Sequence, residues 1–146
     1  DLSDSIDDLK KYYSIIEDES VDAVFGSRFI KGSKIIDYPK KKLILNRIFN
    51  LITKLLFISD YNDFTNAFKI YKKSALLKTF PLVSESFNIF LELPLKIISR
   101  KMKYKIIPIS WINRKEGASK FDIKELRAKY LFTLIYCLLE KILLKK

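Results

Sequence analysis

Apolar residues at the start of the chain recur at steps of three and four. Four of them share this spacing: Ile6, Leu9, Tyr13 and Ile16. Such spacing is typical of the stripe that an amphipathic helix buries. Ser5, with Asp8 three positions later, fits a capping box, in which each side chain bonds the backbone N–H group of the other residue. We therefore predict a helix that begins after Ser5 and buries this stripe.

Further along the chain, segments of helical and strand-like pattern alternate. In chain order they are a strand at 21–25, a helix at 40–58, a strand at 63–72, helices at 74–79 and 86–101, a β-rich run at 104–111 and a helix from about 123 to 144. Gly26, Gly32 and Pro39 mark the loop between the first strand and the second helix. The alternation predicts a mixed α/β fold.

Two prolines modify these predictions. Pro94 lies inside the helix at 86–101, where its missing N–H group predicts a kink or a split. Pro108 lies inside the run at 104–111, so we expect an edge strand or a bulge there and not a central strand. Both positions mark places where regular hydrogen bonding is interrupted.

Two of the predicted helices combine an apolar side with basic residues. In the helix at 40–58 the apolar residues are Leu43, Ile44, Ile48, Leu51, Ile52 and Leu55, and the basic ones are Lys40, Lys41, Lys42, Arg47 and Lys54. In the helix at 123–144 one side carries Leu126, Tyr130, Leu134, Cys137 and Leu138, widened by Leu131 and Phe132. Basic amphipathic helices of this kind can lie in the headgroup layer of a membrane. The alternative for the C-terminal helix is that its apolar side packs on the core.

The net charge of +11 is unevenly distributed. Residues 1–22 contain eight acidic residues and two lysines, so residues 23–146 carry a net charge of +17. A strongly basic body favours partners that carry phosphate or another anion: nucleic acid, an anionic membrane or a phosphorylated substrate. Most aromatic residues fall at core-like positions and the sequence contains no nucleic-acid motif, so nucleic acid is the least favoured of the three.

Missing residue types exclude several kinds of site. The chain has no histidine, which excludes imidazole bases and histidine-ligated metals. Its single cysteine, Cys137, lies in an apolar helical run, so we expect a small buried residue and no disulfide framework. The uncharged run at 130–139 is too short for the ~20 residues that span a bilayer. The chemistry must therefore come from carboxylates, hydroxyls, amides and cations.

Four segments carry residues suited to phosphate and sugar chemistry. They are Asp1 to Ser5 (DLSDS), Gly26-Ser27-Arg28, Asp63 to Tyr71 (DFTNAFKIY) and Trp111 to Phe121 (WINRKEGASKF). Taken singly, each has an ordinary structural explanation. Arg28 could be a solvated arginine after a turn, Asp63 a turn residue, and 114–120 a basic hairpin loop. Their joint order is the feature that favours a function.

In this order the segments resemble the C-terminal half of a family 2 glycosyltransferase of the dolichol-phosphate mannose synthase, or polyprenyl-phosphate glycosyltransferase, type. That family has an Asp-x-Asp metal motif, a strand ending in Gly-Ser-Arg, an Asp-x-Thr-x-Gly-Phe-Arg/Lys strand and an Arg-x-x-Gly-x-Ser-Lys-Phe loop. Phe87 to Leu93 (FNIFLEL) and Pro108 to Trp111 (PISW) match a Phe-rich helix and the strand before the loop. The resemblance runs from Asp1 to about Phe121.

The resemblance implies the C-terminal portion of a GT-A type nucleotide-diphospho-sugar transferase fold. We expect residues 1–121 to form that half of the transferase domain and residues 122–146 to form a basic, interfacial amphipathic helix. The family's nucleotide-binding half and the first Asp of its metal motif would precede Asp1, and Asp1 is not Met. We therefore expect a longer reading frame, and no activity or sugar-nucleotide binding from the 146 residues alone. Ala67 stands where the family has Gly.

The same resemblance implies roles for individual residues. Asp1 would bind Mg²⁺ or Mn²⁺, and Asp63 and Arg28 would be catalytic positions. The phosphate-binding residues would be Arg28, Arg47, Arg114, Ser119 and Lys120. The donor would be a GDP- or UDP-linked sugar and the acceptor a polyprenyl or dolichyl phosphate, at the cytoplasmic face of a membrane. An ionised acceptor phosphate needs no strong base, which agrees with a chain that has no histidine.

A different class of function stays open beside this one. The same basic and apolar residues would also suit a non-catalytic module that binds lipid phosphate or an anionic membrane through charge. An upstream reading frame with alternating strand and helix units, ending in Asp-x, would favour the enzyme. A stop codon or an unrelated domain there would favour the module.

Overall fold

The computed structural model of the chain describes residues 5–113 and 123–143, with the side chains of the second range from residue 128 onward. In chain order the elements are α1 (Ile6–Ile16), β1 (Ala23–Ser27), β2 (Lys34–Ile36), α2 (Lys40–Phe57), β3 (Lys69–Tyr71), α3 (Lys73–Leu77), α4 (Ile89–Ser99), β4 (Tyr104–Pro108), β5 (Ser110–Ile112) and α5 (Ile123–Leu143). The predicted mixed α/β class is confirmed. β2 is an element that the hydrophobic pattern did not predict.

The strands form two small sheets. β1 is the centre of a three-stranded sheet, antiparallel to β3 and parallel to β4, and all five of its residues are buried. β2 and β5 pair in parallel as a second sheet. Gly26 lies in β1 where an added Cβ would collide with the Tyr12 hydroxyl and with Ile109. The glycine of Gly-Ser-Arg is thus required by the packing of α1 on the sheet.

The sheet lies between helices on both faces, because successive side chains of β1 point in opposite directions. Ala23 and Phe25 face α2, α4 and α5. The buried cluster on that side is formed by Ala23, Phe25, Phe57, Tyr61, Phe64, Ala75, Leu91, Leu95, Ile97, Leu134 and Cys137. Val24 faces α1, in a second cluster with Tyr12, Val21 and Ile109. Two cores on opposite faces of one strand therefore fix β1 in place.

The first helix buries a different face from the one that its apolar spacing predicts. Tyr13 is 62% exposed, whereas Tyr12 and Asp8 are buried. Tyr12 donates its hydroxyl proton to the Phe68 carbonyl at 2.6 Å, and the Asp8 carboxylate accepts from the Ser110 N–H at 2.8 Å. The Tyr12 hydroxyl and the Asp8 carboxylate thus provide hydrogen-bond partners for backbone groups of Phe68 and Ser110. These hydrogen bonds favour burial of this face of α1 over burial of the apolar stripe.

The predicted capping box is half right. Ser5 is the N-cap of α1 and its hydroxyl accepts from the Asp7 N–H at 3.2 Å. The carboxylate of Asp8 points elsewhere, to Ser110 and to the Lys11 ammonium at 2.9 Å. Because its carboxylate makes these tertiary and side-chain contacts, Asp8 does not complete the capping box at Ser5.

The strand predicted at 63–72 is wrong for its first six residues. Only Lys69–Tyr71 is extended, as β3, and residues 63–68 form a loop. The Asn66 N–H closes a turn onto the Asp63 carbonyl at 3.1 Å, and the Phe64 N–H donates to the Asn50 side chain. Backbone groups that a strand would pair with a neighbour are bonded within the loop or by side chains here.

The two prolines have different outcomes. Pro108 is the last residue of β4, an edge strand, as predicted. Of the kink or split predicted at Pro94, the split is absent because α4 continues from Ile89 to Ser99, and the kink stays a prediction. Pro94 has no N–H group to donate to the carbonyl of Phe90, four residues earlier. The ammonium of Lys69 donates to that carbonyl at 3.1 Å, so the interrupted bond is replaced from outside the helix.

Candidate functional site

The end of β1 presents an arginine to a buried carboxylate. Arg28 follows the last residue of β1, and Asp63 lies in the loop before β3. The Arg28 Nε donates to Asp63 Oδ2 at 2.8 Å, Nη2 donates to Oδ1 at 2.7 Å, and the Arg28 backbone N–H donates to Oδ2 at 2.9 Å. Arg28 is 8% exposed and Asp63 is 0% exposed. The two predicted catalytic positions thus form one bidentate ion pair.

Burial and pairing determine the charge state of this pair. Desolvation by itself lowers the pKa of Arg28, but the hydrogen bonds and charge of Asp63 outweigh it, and the net pKa of Arg28 is raised. Both oxygens of Asp63 accept from Arg28, so the carboxylate is occupied and the pair as a unit is neutral. These contacts exclude the interpretation of Arg28 as a solvated surface residue. They also mean that Asp63 could act as a base only if the pair opened.

Three half-buried aromatic rings surround the Arg28 guanidinium. Its central carbon lies 5.3 Å from the ring centroid of Phe29, 5.7 Å from that of Tyr38 and 5.8 Å from that of Trp111. The pairing of β2 with β5 brings the last two together, with their centroids 4.9 Å apart. Rings at this distance attract a cation and restrict access of water to it. The resulting aromatic rim encloses one side of the ion pair.

Arg47 approaches the same rim from α2. Its guanidinium carbon lies 4.5 Å from the ring centroid of Phe29, so Phe29 contacts two arginines. Unlike Arg28, Arg47 is exposed. In the part of the chain that the structure describes, no carboxylate pairs with it. Arg47 therefore offers an uncompensated positive charge and a planar set of N–H donors beside the rim.

The polar side of α2 holds the loop that carries Asp63. Asn46 Nδ2 donates to the Thr65 hydroxyl at 2.7 Å. Asn50 accepts from the Phe64 N–H through Oδ1 and donates to Asn46 Oδ1 at 2.8 Å. Asn50 is 1% exposed. The position of Asp63 thus depends on amide side chains of the helix that also supplies Arg47.

The other side of α2 is apolar and faces solvent. Its exposed residues include Ile44, Ile48, Leu51, Ile52 and Leu55, with Leu55 67% exposed. They are the stripe that the sequence pattern identified. Exposed apolar surface on this scale is typical of an interaction site. The helix therefore separates polar contacts to the site from an apolar surface that the described residues leave uncovered.

The C-terminal helix α5 is apolar on two sides. Leu134 and Cys137 are 5% and 1% exposed and belong to the core, so the predicted alternative of core packing is confirmed for that side. Burial raises the pKa of the Cys137 thiol to about 12. Exposed apolar residues lie on the opposite side: Leu131, Phe132, Ile135, Leu139 and Ile142. Among the described helices, none has the length and hydropathy needed to cross a membrane.

Lys69 is a site residue that reasoning from the sequence passed over. Its ammonium donates to the carbonyls of Phe64 and Phe90, each at 3.1 Å, and to that of Asn66. Desolvation lowers the pKa of Lys69 to about 7, with Asp63 opposing the shift and Arg28 adding to it. The signal in the sequence was the basic residue six positions after Asp63, at the end of the matched motif.

Four predicted site residues, Asp1, Arg114, Ser119 and Lys120, lie outside the described residues. Trp111 and Asn113, which precede Arg114, are described, and Trp111 belongs to the aromatic rim. Ala67, at the family's glycine position, is exposed, so its methyl group faces away from the core. The structure therefore brings together Arg28, Asp63 and Arg47, and leaves the other four roles as predictions.

The predicted metal site depends on Asp1, which lies outside the described residues. Within 5–113 and 123–143, no three side chains of Asp, Glu, Cys or His come together as a metal site. The nearest candidate carboxylate, Asp63, is occupied by Arg28. The described residues thus do not provide a ligand set for Mg²⁺ or Mn²⁺, and Asp1 as a ligand remains a prediction.

Comparison with known proteins identifies a distant similarity to a glycosyltransferase. No protein-family model matches the chain. A polyprenol monophosphomannose synthase from Mycolicibacterium smegmatis is 23% identical to it over 112 residues, which cover 75% of the chain. The chain is a distant relative of that synthase. It spans 42% of the synthase's length. The similarity supports a glycosyltransferase at the coarse level.

Proposed function

We propose that this chain is the acceptor-side part of a glycosyltransferase that moves a sugar from a nucleotide donor to a polyprenyl phosphate at a membrane surface. The observation that supports this most is the two-sided character of α2. Arg47 presents an accessible cation beside the Arg28–Asp63 pair. The same helix exposes a row of apolar residues. An acceptor with an anionic head and an apolar tail matches both features.

In this proposal Arg47 attracts the acceptor phosphate and Arg28 orients it. The charge of Arg47 has no carboxylate partner among the described side chains, so it provides the electrostatic attraction. Arg28 is held in place by Asp63 and by the aromatic rim, so its remaining N–H donors have a defined direction. A preorganised donor stabilises charge without reorganisation cost. The pair thus acts as a template more than as a source of attraction.

The reaction then needs little more from these residues. A phosphate monoester is ionised at neutral pH, so its oxygen can attack the anomeric carbon without a base that removes a proton. The bond from that carbon to the donor diphosphate breaks, and the leaving group takes the electron pair. Arg47 offsets the acceptor's negative charge as the two anions approach, and the N–H donors of Arg28 orient the phosphate. A metal at Asp1, as predicted, would bind the donor diphosphate.

Membrane association is part of the same proposal. The exposed apolar residues of α2 and of the outer side of α5 would enter the headgroup layer, with neighbouring lysines at anionic lipids. The proposed location is the cytoplasmic face. A non-catalytic module for anionic membranes is the second candidate, favoured by the net charge of +11 together with these apolar faces.

Vesicle binding distinguishes these two candidates. Neutral phosphatidylcholine vesicles doped with polyprenyl phosphate are compared with vesicles that contain polyprenol, or an equal charge of phosphatidylglycerol. We expect selective binding to polyprenyl phosphate, and we expect Arg47→Ala to weaken it by roughly 10-fold or more, the loss of about 1.5–3 kcal/mol from charge-assisted bonds. Lys42→Ala removes an exposed charge from the same helix and should have a smaller effect. Equal binding to both anionic vesicles would favour the module.

The donor side needs a separate measurement. Calorimetric titration of the chain with GDP-mannose and UDP-glucose tests whether these residues bind a sugar nucleotide. We expect no micromolar affinity from them alone, since the resemblance assigns nucleotide binding to the other half of the family's domain. Micromolar binding of either nucleotide would show that the described half contains a donor site and would change the proposed division of labour.

A further inference from the structure

Lys69 connects the loop that carries Asp63 to α4. Its ammonium donates to the carbonyls of Phe64 and Asn66 in the loop, and to that of Phe90 in the first turn of α4. Three acceptors match the three N–H groups of a protonated lysine. The Phe90 carbonyl is available because Pro94 cannot donate to it. One charged group thus replaces a missing helix bond and fastens the loop on two sides.

The loop has few other bonds that would hold it against α4. Its other polar contacts run to β1, α1, α2 and Tyr61. Asn66 Nδ2 donates to the Gly26 carbonyl at 2.9 Å, the Tyr12 hydroxyl donates to the Phe68 carbonyl, Asn50 accepts from the Phe64 N–H, and the Tyr61 hydroxyl donates to the Asp63 carbonyl. Asp63 itself bonds Arg28. Loss of the Lys69 contacts would therefore release the loop on the α4 side at Phe64 and Asn66, one and three residues from Asp63.

We propose that Lys69 is a positioning residue whose proton controls the Arg28–Asp63 pair. A neutral amine has two N–H groups and a lone pair, so deprotonation breaks one of the three bonds and turns a lone pair toward a carbonyl oxygen. The released loop then carries Asp63 away from its bidentate contact. The inference rests on these contacts and holds whatever substrate the site takes.

The groups around Lys69 set the pH at which this happens. Desolvation lowers its pKa from 10.5 to about 7. Among the described residues two charged groups face it, Asp63, which favours the proton, and Arg28, which disfavours it. The Tyr61 ring lies 5.6 Å away and its pKa is raised well above 10 by burial, so it stays neutral. From α4 the contact is a backbone carbonyl. Among the described groups of this cluster, Lys69 is thus the one whose pKa lies near neutral pH.

The Arg28 Nε–H resonance reports on the pair directly. In a ¹⁵N NMR titration of the 146-residue chain from pH 5.5 to 9, without substrate, a paired Nε–H is protected from solvent exchange. We expect protection to fall, after correction for intrinsic exchange rates, with a midpoint near pH 7. Lys69→Arg keeps the charge fixed and should retain protection to pH 9. Lys69→Met has no donors and should lose protection at every pH.

A matched control and a direct titration keep the test decisive. Lys73→Met changes an exposed lysine four residues away and should leave the wild-type profile unchanged. In the wild-type chain, the ¹⁵Nζ chemical shift of Lys69 should titrate with the same midpoint as the Arg28 signal. This measurement does not depend on whether Lys69→Met folds. A protected Arg28 resonance across the whole range in the wild type, or in a folded Lys69→Met chain, would overturn the proposal. Since substrate is absent, this result is independent of the glycosyltransferase assignment.

Discussion

Helices α2 and α5 pack on the same face of the sheet, yet they are attached to the rest of the molecule by different sets of contacts. The buried positions of α2 are Asn50, Thr53 and Phe57, two of them polar. The core positions of α5 include Leu134 and Cys137. Both helices expose apolar residues to solvent. α5 is thus attached mainly by apolar packing, whereas α2 combines the packing of Phe57 with hydrogen bonds from Asn46 and Asn50 to the loop.

The different attachments of α2 and α5 explain why the candidate site lies beside α2. The inner side of α5 contributes mainly apolar contacts, and its polar members, Thr133 and Glu140, bond Asn88 and Arg100. A helix attached through amides fixes particular atoms, and Asn50 fixes the loop beside Asp63. The site has therefore formed on the α2 side. The four charged residues between α4 and α5, Glu92, Lys96, Arg100 and Glu140, form ion pairs that join the two helices.

The largest expected effect is on the inner side of α5. Leu134→Asp places a carboxylate at a position that is 5% exposed, and should lower the free energy of unfolding by about 3–5 kcal/mol. Leu139→Asp, at a position that is 51% exposed, should change it by no more than about 0.5 kcal/mol. Urea denaturation followed by circular dichroism measures both. Similar losses for the two variants would contradict the assignment of inner and outer sides.

The next effect concerns membrane binding by the exposed side of α2. Leu51→Glu with Leu55→Glu removes two exposed leucines, each worth about 1.5 kcal/mol if buried in the interface, so vesicle affinity should fall about 100-fold. The fold should persist, because both side chains are more than half exposed. Co-sedimentation with anionic vesicles at low and high salt measures this. A folded double variant that binds as the wild type does would exclude α2 from the membrane contact.

A third prediction tests the polar attachment of α2. Asn50→Ala leaves the buried Phe64 N–H without its acceptor, which should cost about 1–3 kcal/mol of stability. The same substitution at Asn46, a half-buried residue whose side chain bonds the Thr65 hydroxyl and the Asn50 amide, should cost less, because it leaves no buried backbone N–H group unpaired. Thermal denaturation compares the two. If Asn50→Ala were neutral, the view that amides attach α2 to the loop would be wrong.

The smallest effect lies at the end of α2. Ile58 has φ of 53° in the left-handed region, a conformation that strains a β-branched residue, and is 88% exposed. Ile58→Gly should therefore stabilise the chain by about 1 kcal/mol. α5 offers the contrasting control, because a glycine inside that helix, at Leu139, should destabilise by a similar amount. A loss of stability in Ile58→Gly would mean that its side chain makes contacts that its exposure does not suggest.

Several features of the chain were determined by local sequence. Apolar periodicity and prolines located all five helices within a few residues, because helical spacing is a property of the segment itself. Pro108 marked the end of an edge strand for the same reason. The order of short motifs predicted roles for Arg28, Asp63 and Arg47, which the structure brings together, and those roles stay predictions.

Other features were decided only by the tertiary structure. The inner face of α1 is set by Tyr12 and Asp8 because the groups they bond, on Phe68 and Ser110, are distant in the chain. Lys69 acquires its role from Phe90, whose carbonyl is unpaired only because Pro94 follows it. Asp63 is a partner of Arg28 and not an isolated carboxylate, since burial makes pairing obligatory. Local pattern places elements, but the partners of buried polar groups depend on what the fold brings beside them.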